Sequence, residues 1–91
     1  MNMKFASGMV VISSAGHDSG NWFVVTGADE RYAYIADGKE RKLSAPKRKN
    51  IKHIRKTELT VTLTDMTDKA LRRALNALSK QSIAEESEKL V

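Results

Sequence analysis

Three five-residue runs rich in β-branched and aromatic side chains, Met9–Ser13, Trp22–Thr26 and Tyr32–Ala36, follow one another within the first 36 residues of the chain. Runs this short are too brief for stable helices, and their composition suits strands. The segments between them turn the chain. Ser14–Asn21 is small and polar, with Gly16 and Gly20 free to take positive φ, and Gly27-Ala28-Asp29-Glu30 forms a second turn. Consecutive strands joined by short turns pair as hairpins, so the first third of the chain commits it to an antiparallel sheet.

The pattern continues with weaker strands. Asp37-Gly38 suits a type I′ turn and predicts a polar edge strand over about Lys39–Leu43. Pro46 breaks that strand, because it lacks the N–H a central ladder needs. Lys47-Arg48-Lys49-Asn50 reads as a basic loop, and Ile51 to Ile54, with His53 between, as a short closing strand. Leu59-Thr60-Val61-Thr62-Leu63 alternates and predicts one more strand, threonines outward. The period then changes: Leu71, Ala74, Leu75 and Leu78 recur at helical spacing. A helix is expected from about Asp65 to Lys80, capped by Thr64, Asp65 or Thr67, with Gln81–Val91 extending it or fraying. On the second strand Phe23 and Val25 are the expected inward pair, leaving Trp22 to stack on a ligand or to cover the barrel end under the helix. The expected fold is mainly β, a small closed barrel or sandwich with a C-terminal α-helix, as one domain in which residues 1–63 form the barrel and 64–91 the helix and tail.

Net charge is +5, and its placement is uneven. Residues 1–38 carry −2 and residues 57–91 carry −1, whereas residues 39–56 carry +8, with Glu40 their one acid. Such asymmetry points to a polyanionic partner. There is no cysteine, which excludes disulfides, thiolate zinc sites and cysteine nucleophiles. His17 and His53 are too few for a metal site, and the His17-Asp18 pair has no accompanying nucleophile, so neither a metal, a cofactor nor an enzymatic activity is expected. The N-terminus lacks the apolar run of a signal peptide, and no segment reaches the roughly 20 apolar residues of a membrane span. A cytoplasmic, monomeric protein that leaves membranes alone is the expectation.

The stretch Gly8–Val25, with Ala15-Gly16-His17-Asp18-Ser19-Gly20 in its turn, resembles the KOW motif, as does its continuation through Tyr34-Ile35-Ala36-Asp37-Gly38. The resemblance covers about Gly8–Lys56 and extends to small bacterial proteins similar to KOW ribosomal proteins. It implies an SH3-like barrel and RNA binding by the first hairpin turn with neighbouring basic loops. Carried over, it nominates His17, Asp18, Ser19, Asn21 and Trp22. Members of the family often carry basic residues where this chain has Ser19 and Asn21, which shifts the affinity for phosphates onto Lys39, Arg41, Lys42, Lys47, Arg48, Lys49, Lys52, Arg55 and Lys56. Trp22, Tyr32 and Tyr34 are the candidates for base stacking. The implied function is binding of structured, ribosomal RNA in translation, with ribosomal proteins as further partners. The competing reading is an SH3-like adaptor that binds proteins, for example in a transcription or ribosome-assembly complex.

Overall fold

A computed structural model describes residues 4–89, with side-chain environments for residues 4–80. It contains β1 (Met9–Ser13), β2 (Trp22–Ala28), β3 (Tyr32–Ala36), β4 (Lys47–Asn50), a 3₁₀ turn (Ile51–His53), β5 (Ile54–Thr60) and α1 (Asp68–Lys89). The chain is mainly β, a five-stranded antiparallel sheet in the order β4-β3-β2-β1-β5 with one C-terminal helix.

The connection from β4 to β5 sets the sheet's shape. These strands are its two edges, about 19 Å apart if five strands lay flat. Yet only Ile51–His53 join them, a 3₁₀ turn rising about 2 Å per residue. The edges must therefore bend toward each other at that end, and the sheet curls. Asn50 makes the turn possible by accepting the Lys52 N–H on its side chain (2.9 Å).

Curling gives the sheet an inside and an outside, and both are buried in part. The concave side holds Phe5, Val11, Phe23, Val25, Ala33, Ile35 and Ile54. The convex side holds Val10, Val24 and Ala36 beneath Leu71 and Leu75 of α1. Phe23 and Val25 point inward as expected, but Val24 between them is equally buried, because the helix covers the opposite face. That explains the unbroken apolar pairs Val10-Val11 and Val24-Val25, as in any strand covered on both sides. Leu71 is fully buried at this junction, a contribution of about 1.5–3 kcal/mol.

Several boundaries differ from the sequence reading. β2 runs to Ala28, because Gly27 and Ala28, read as a turn, pair with Tyr34 and Ala33 of β3. Lys39–Leu43 is not a strand, and Asp37-Gly38 does not make a two-residue hairpin. Instead the Asp37 carboxylate accepts the N–H groups of Lys39 and Arg41 (2.9 Å each), while Arg41 O receives those of Asp37 and Gly38. Lys47–Asn50, read as a loop, is the edge strand β4 that pairs with β3. The closing strand starts at Ile54 and runs to Thr60, so Val61–Leu63 lies outside it. In this strand Thr57 sits at a register irregularity and fills it, donating to Val10 O (2.6 Å) and accepting the Leu59 N–H (3.1 Å). The helix begins later than expected, at Asp68, with Thr67 accepting the Ala70 N–H at its start, and runs to Lys89, the extended one of the two alternatives for its end.

Helix and sheet are locked together through the 37–43 loop. Asp68 accepts the Leu43 N–H at 2.7 Å. Gly38, at φ +78°, lies against the Asp68 carbonyl, with no room for a Cβ. Gly20 has a similar φ of +88°, but open space around it. Gly38→Ala should therefore cost about 3 kcal/mol, combining left-handed strain with overpacking, and Gly20→Ala only about 1 kcal/mol. Urea denaturation of both variants checks this; equal losses would contradict the close packing at Gly38.

Candidate nucleic-acid interface

The first turn is held by its own backbone and by an ion-pair network. Ser19 N–H donates to Gly16 O, Asn21 N–H to Asp18 O and Gly20 N–H to Ser13 O, so residues 16–21 form successive tight turns. They swing the Asp18 side chain across the curled sheet to β4. Its Oδ1 accepts from Lys49 Nζ (2.7 Å) and Ser13 Oγ (2.7 Å), and its Oδ2 from Lys47 Nζ (3.1 Å). Lys49 also donates to Ala15 O (2.8 Å). The Asp18 and Lys49 side chains are 12% and 8% exposed, so this pair is largely withdrawn from water.

Burial alone would raise the Asp18 pKa, but hydrogen bonds from Lys49, Ser13 and Lys47 outweigh it and hold the carboxyl well below the usual carboxylate range. Asp29 is lowered too, by the Arg31 and Tyr32 backbone N–H groups it accepts at the β2–β3 turn.

The sequence candidates fall into separate groups. Asp18, Lys47 and Lys49 belong to the network just described. Trp22 is half-buried against the cluster beneath α1, so it does not stand free on the sheet. His17, Ser19 and Asn21 are exposed on the turn, and Lys39, Arg41 and Lys42 on the 37–45 loop. Gly20, Asn21 and Trp22 face Lys39 and Glu40 across a groove of about 400 Å³, whose other wall is α1 at Arg72, Asn76 and Ser79. The turn and the first basic stretch thus meet, as the sequence reading requires of a joint surface.

The remaining cations lie elsewhere. Arg48 stands on the convex face, its guanidinium 4.6 Å from the centre of the Tyr32 ring, a cation–π contact. Tyr34 is exposed directly opposite Arg48 in the β3–β4 register. Arg55 pairs with Ile12, which pairs with Trp22, so Arg55 extends the same face toward β5. Lys52 and Lys56 border a second groove, of about 470 Å³, over Phe5, Ile51 and Ile54.

Lys4 and Arg72 were absent from the sequence candidates, because both lie outside the basic segment. Lys4 joins Lys52 and Lys56 at the second groove, and Arg72 joins Lys39 at the first. Arg72 could have been suspected from its place just off the leucine stripe. Lys4 gave no signal. Among the described residues, both carboxylate ion pairs fall on Asp18, leaving Lys39, Arg41, Lys42, Arg48, Lys52, Arg55 and Lys56 exposed with no carboxylate within 4 Å. Among the same residues no three His, Asp or Glu side chains gather to hold a metal ion, and no helix is long and apolar enough to cross a membrane. No family model matches the chain, and no curated protein matches it significantly.

The depressed Asp18 pKa makes the network pH-sensitive. Its stabilisation is complete above the unfolded carboxylate value near 4 and is lost as pH falls below it. Asp18→Asn should cost about 3 kcal/mol at pH 7 by leaving Lys49 buried without a counter-charge. The variant should also lose less further stability than the parent between pH 5 and pH 3. Urea midpoints at pH 7, 5, 4 and 3 check both points; parallel pH profiles would contradict the ion-pair account.

Proposed function

We propose that this protein is an RNA-binding module built on an SH3-like barrel of the KOW type, acting in the cytoplasm on structured RNA of the ribosome, as a binder and not an enzyme. In favour of the fold is the strand path. A four-stranded meander, a 3₁₀ turn and a fifth strand returning onto β1 is the path expected of an SH3-like barrel. The KOW resemblance at Gly8–Lys56 falls on β1 to β5 of that path.

The observation that carries the function is the set of exposed cations that, among the described residues, have no carboxylate within 4 Å: Lys39, Arg41, Lys42, Arg48, Lys52, Arg55 and Lys56. In a chain of this size such density is self-repulsive, and phosphates relieve it. Tyr32 and Tyr34 add flat surfaces beside Arg48 on which unpaired bases can stack. His17, Ser19 and Asn21 are exposed on the first turn, Asn21 in the groove with Lys39, and they offer hydrogen bonds without competing charge. Lys49 and Asp18 shape that turn, and Lys47 is shared between Asp18 and solvent. The adaptor reading would need a broad exposed aromatic groove; here the exposed Tyr34 and the half-buried Tyr32 are flanked by Arg48 instead, which favours nucleic acid.

Replacing Lys39, Arg41, Lys42 and Arg48 together by glutamate should weaken binding to a structured ribosomal RNA fragment at least about tenfold at fixed salt, with the urea midpoint held near that of the parent. Fluorescence anisotropy with the labelled fragment provides the measurement, and unchanged affinity would remove the assignment. For the parent protein, engagement of about five phosphates gives a log–log slope of affinity against salt near −3.5 to −4.5. A flat salt response would favour a protein partner.

A further inference from the structure

The groove between the first turn and α1 has a chemistry that phosphate neutralisation alone does not require. Its volume, about 400 Å³, lies at the small end of the roughly 300–1,000 Å³ typical of small-molecule sites, and a duplex does not fit into it. Trp22 forms part of its wall while packing from behind on the cluster beneath the helix, so its position is fixed. Lys39 and Arg72 both line it and supply positive charge. Arg72, Asn76 and Ser79 fall on one face of α1, at spacings of four and three residues, beside the leucine stripe. The Asp37 carboxylate accepts the Lys39 and Arg41 N–H groups through Oδ1 alone, so its Oδ2, Glu40 and Asn76 line the groove as acceptors for a neutral donor.

An aromatic wall, two cations and a few hydrogen-bonding side chains in a single-residue cavity match one kind of group: a single unstacked nucleotide, with its base against Trp22 and its phosphate between Lys39 and Arg72. We infer that this groove captures one splayed-out nucleotide of the bound RNA, and that α1 is part of the RNA site as well as the cover of the sheet. The inference rests on the RNA-binding reading and adds to it the single-stranded character of part of the target. It also gives Trp22 a ligand-facing role despite its packing under the helix.

Trp22 is the only tryptophan in the sequence, so its fluorescence reports on this groove alone. The full-length protein would be titrated with a mixed-sequence single-stranded RNA of ten nucleotides, with fluorescence of Trp22 and anisotropy of a 5′-labelled copy of the same RNA followed in parallel. The inference predicts saturable quenching of Trp22 with the same midpoint as the anisotropy change. It also predicts about tenfold weaker binding in the Arg72→Ala, Asn76→Ala double variant, whose sites are exposed and outside the core. Circular dichroism of the double variant would establish that it folds. RNA binding with Trp22 unaffected and with the double variant equal to the parent would overturn the groove assignment while leaving the RNA reading in place. Absence of any anisotropy change with this RNA and with a structured ribosomal fragment would overturn both.

Discussion

The carboxylate of Asp18, bridging Lys47, Lys49 and Ser13, closes the molecule where the backbone leaves it open. The sheet runs β4-β3-β2-β1-β5, so the first turn and β4 are far apart along the ladder. Only the 3₁₀ turn brings the two edges together by covalent connection, at one end. Asp18 reaches across the concave side and ties the first turn to β4 through side chains. A buried ion pair of this kind is expensive to desolvate, and it holds only because each partner finds further bonds, Lys49 to Ala15 O and Asp18 to Ser13. The cost of breaking it is what fixes the turn's conformation, and with it the positions of His17, Ser19 and Asn21.

The second organising contact is the seating of α1 on the convex face. Without the helix, Val10, Val24 and Ala36 would face water, and the outer side of the sheet would be a plain apolar patch. The helix covers them with Leu71 and Leu75, and the 37–43 loop anchors its start through Leu43 and Gly38. Toward the β4 edge of the convex face Tyr34 and Arg48 are exposed and Tyr32 is half-buried under the Arg48 guanidinium. One helix thus divides the outer face into a packed half and an open half, with a groove along its margin.

Much of this was legible in the sequence, for identifiable reasons. The strands β1 to β3 were clear because their β-branched runs are bounded by glycines and acidic turns, and the helix because Leu71, Leu75 and Leu78 keep period. β4 was not legible. Lys47, Arg48, Lys49 and Asn50 have neither apolar alternation nor strand propensity, and they form a strand because Lys49 is drawn inward to Asp18 while Arg48 turns out over Tyr32. The expected hairpin at Asp37-Gly38 failed for a tertiary reason, the need for a glycine against the start of α1. In the candidate site, composition located the basic segment but treated its cations alike. Local charge counting has no means of seeing that Lys49 turns inward to an aspartate 31 residues earlier, nor that Arg72 lines the same groove as Lys39.

The proposed function rests on a division of the basic segment's cations: Lys47 and Lys49 are spent on Asp18, and the others are exposed with no carboxylate within 4 Å among the described residues. The most direct test of the account is sedimentation of the tagged protein from its own cell lysate through a low-salt gradient, with and without RNase. The account predicts migration with ribosomal particles, and release to the top of the gradient by RNase or by high salt. Migration as a free small protein under every condition would contradict it.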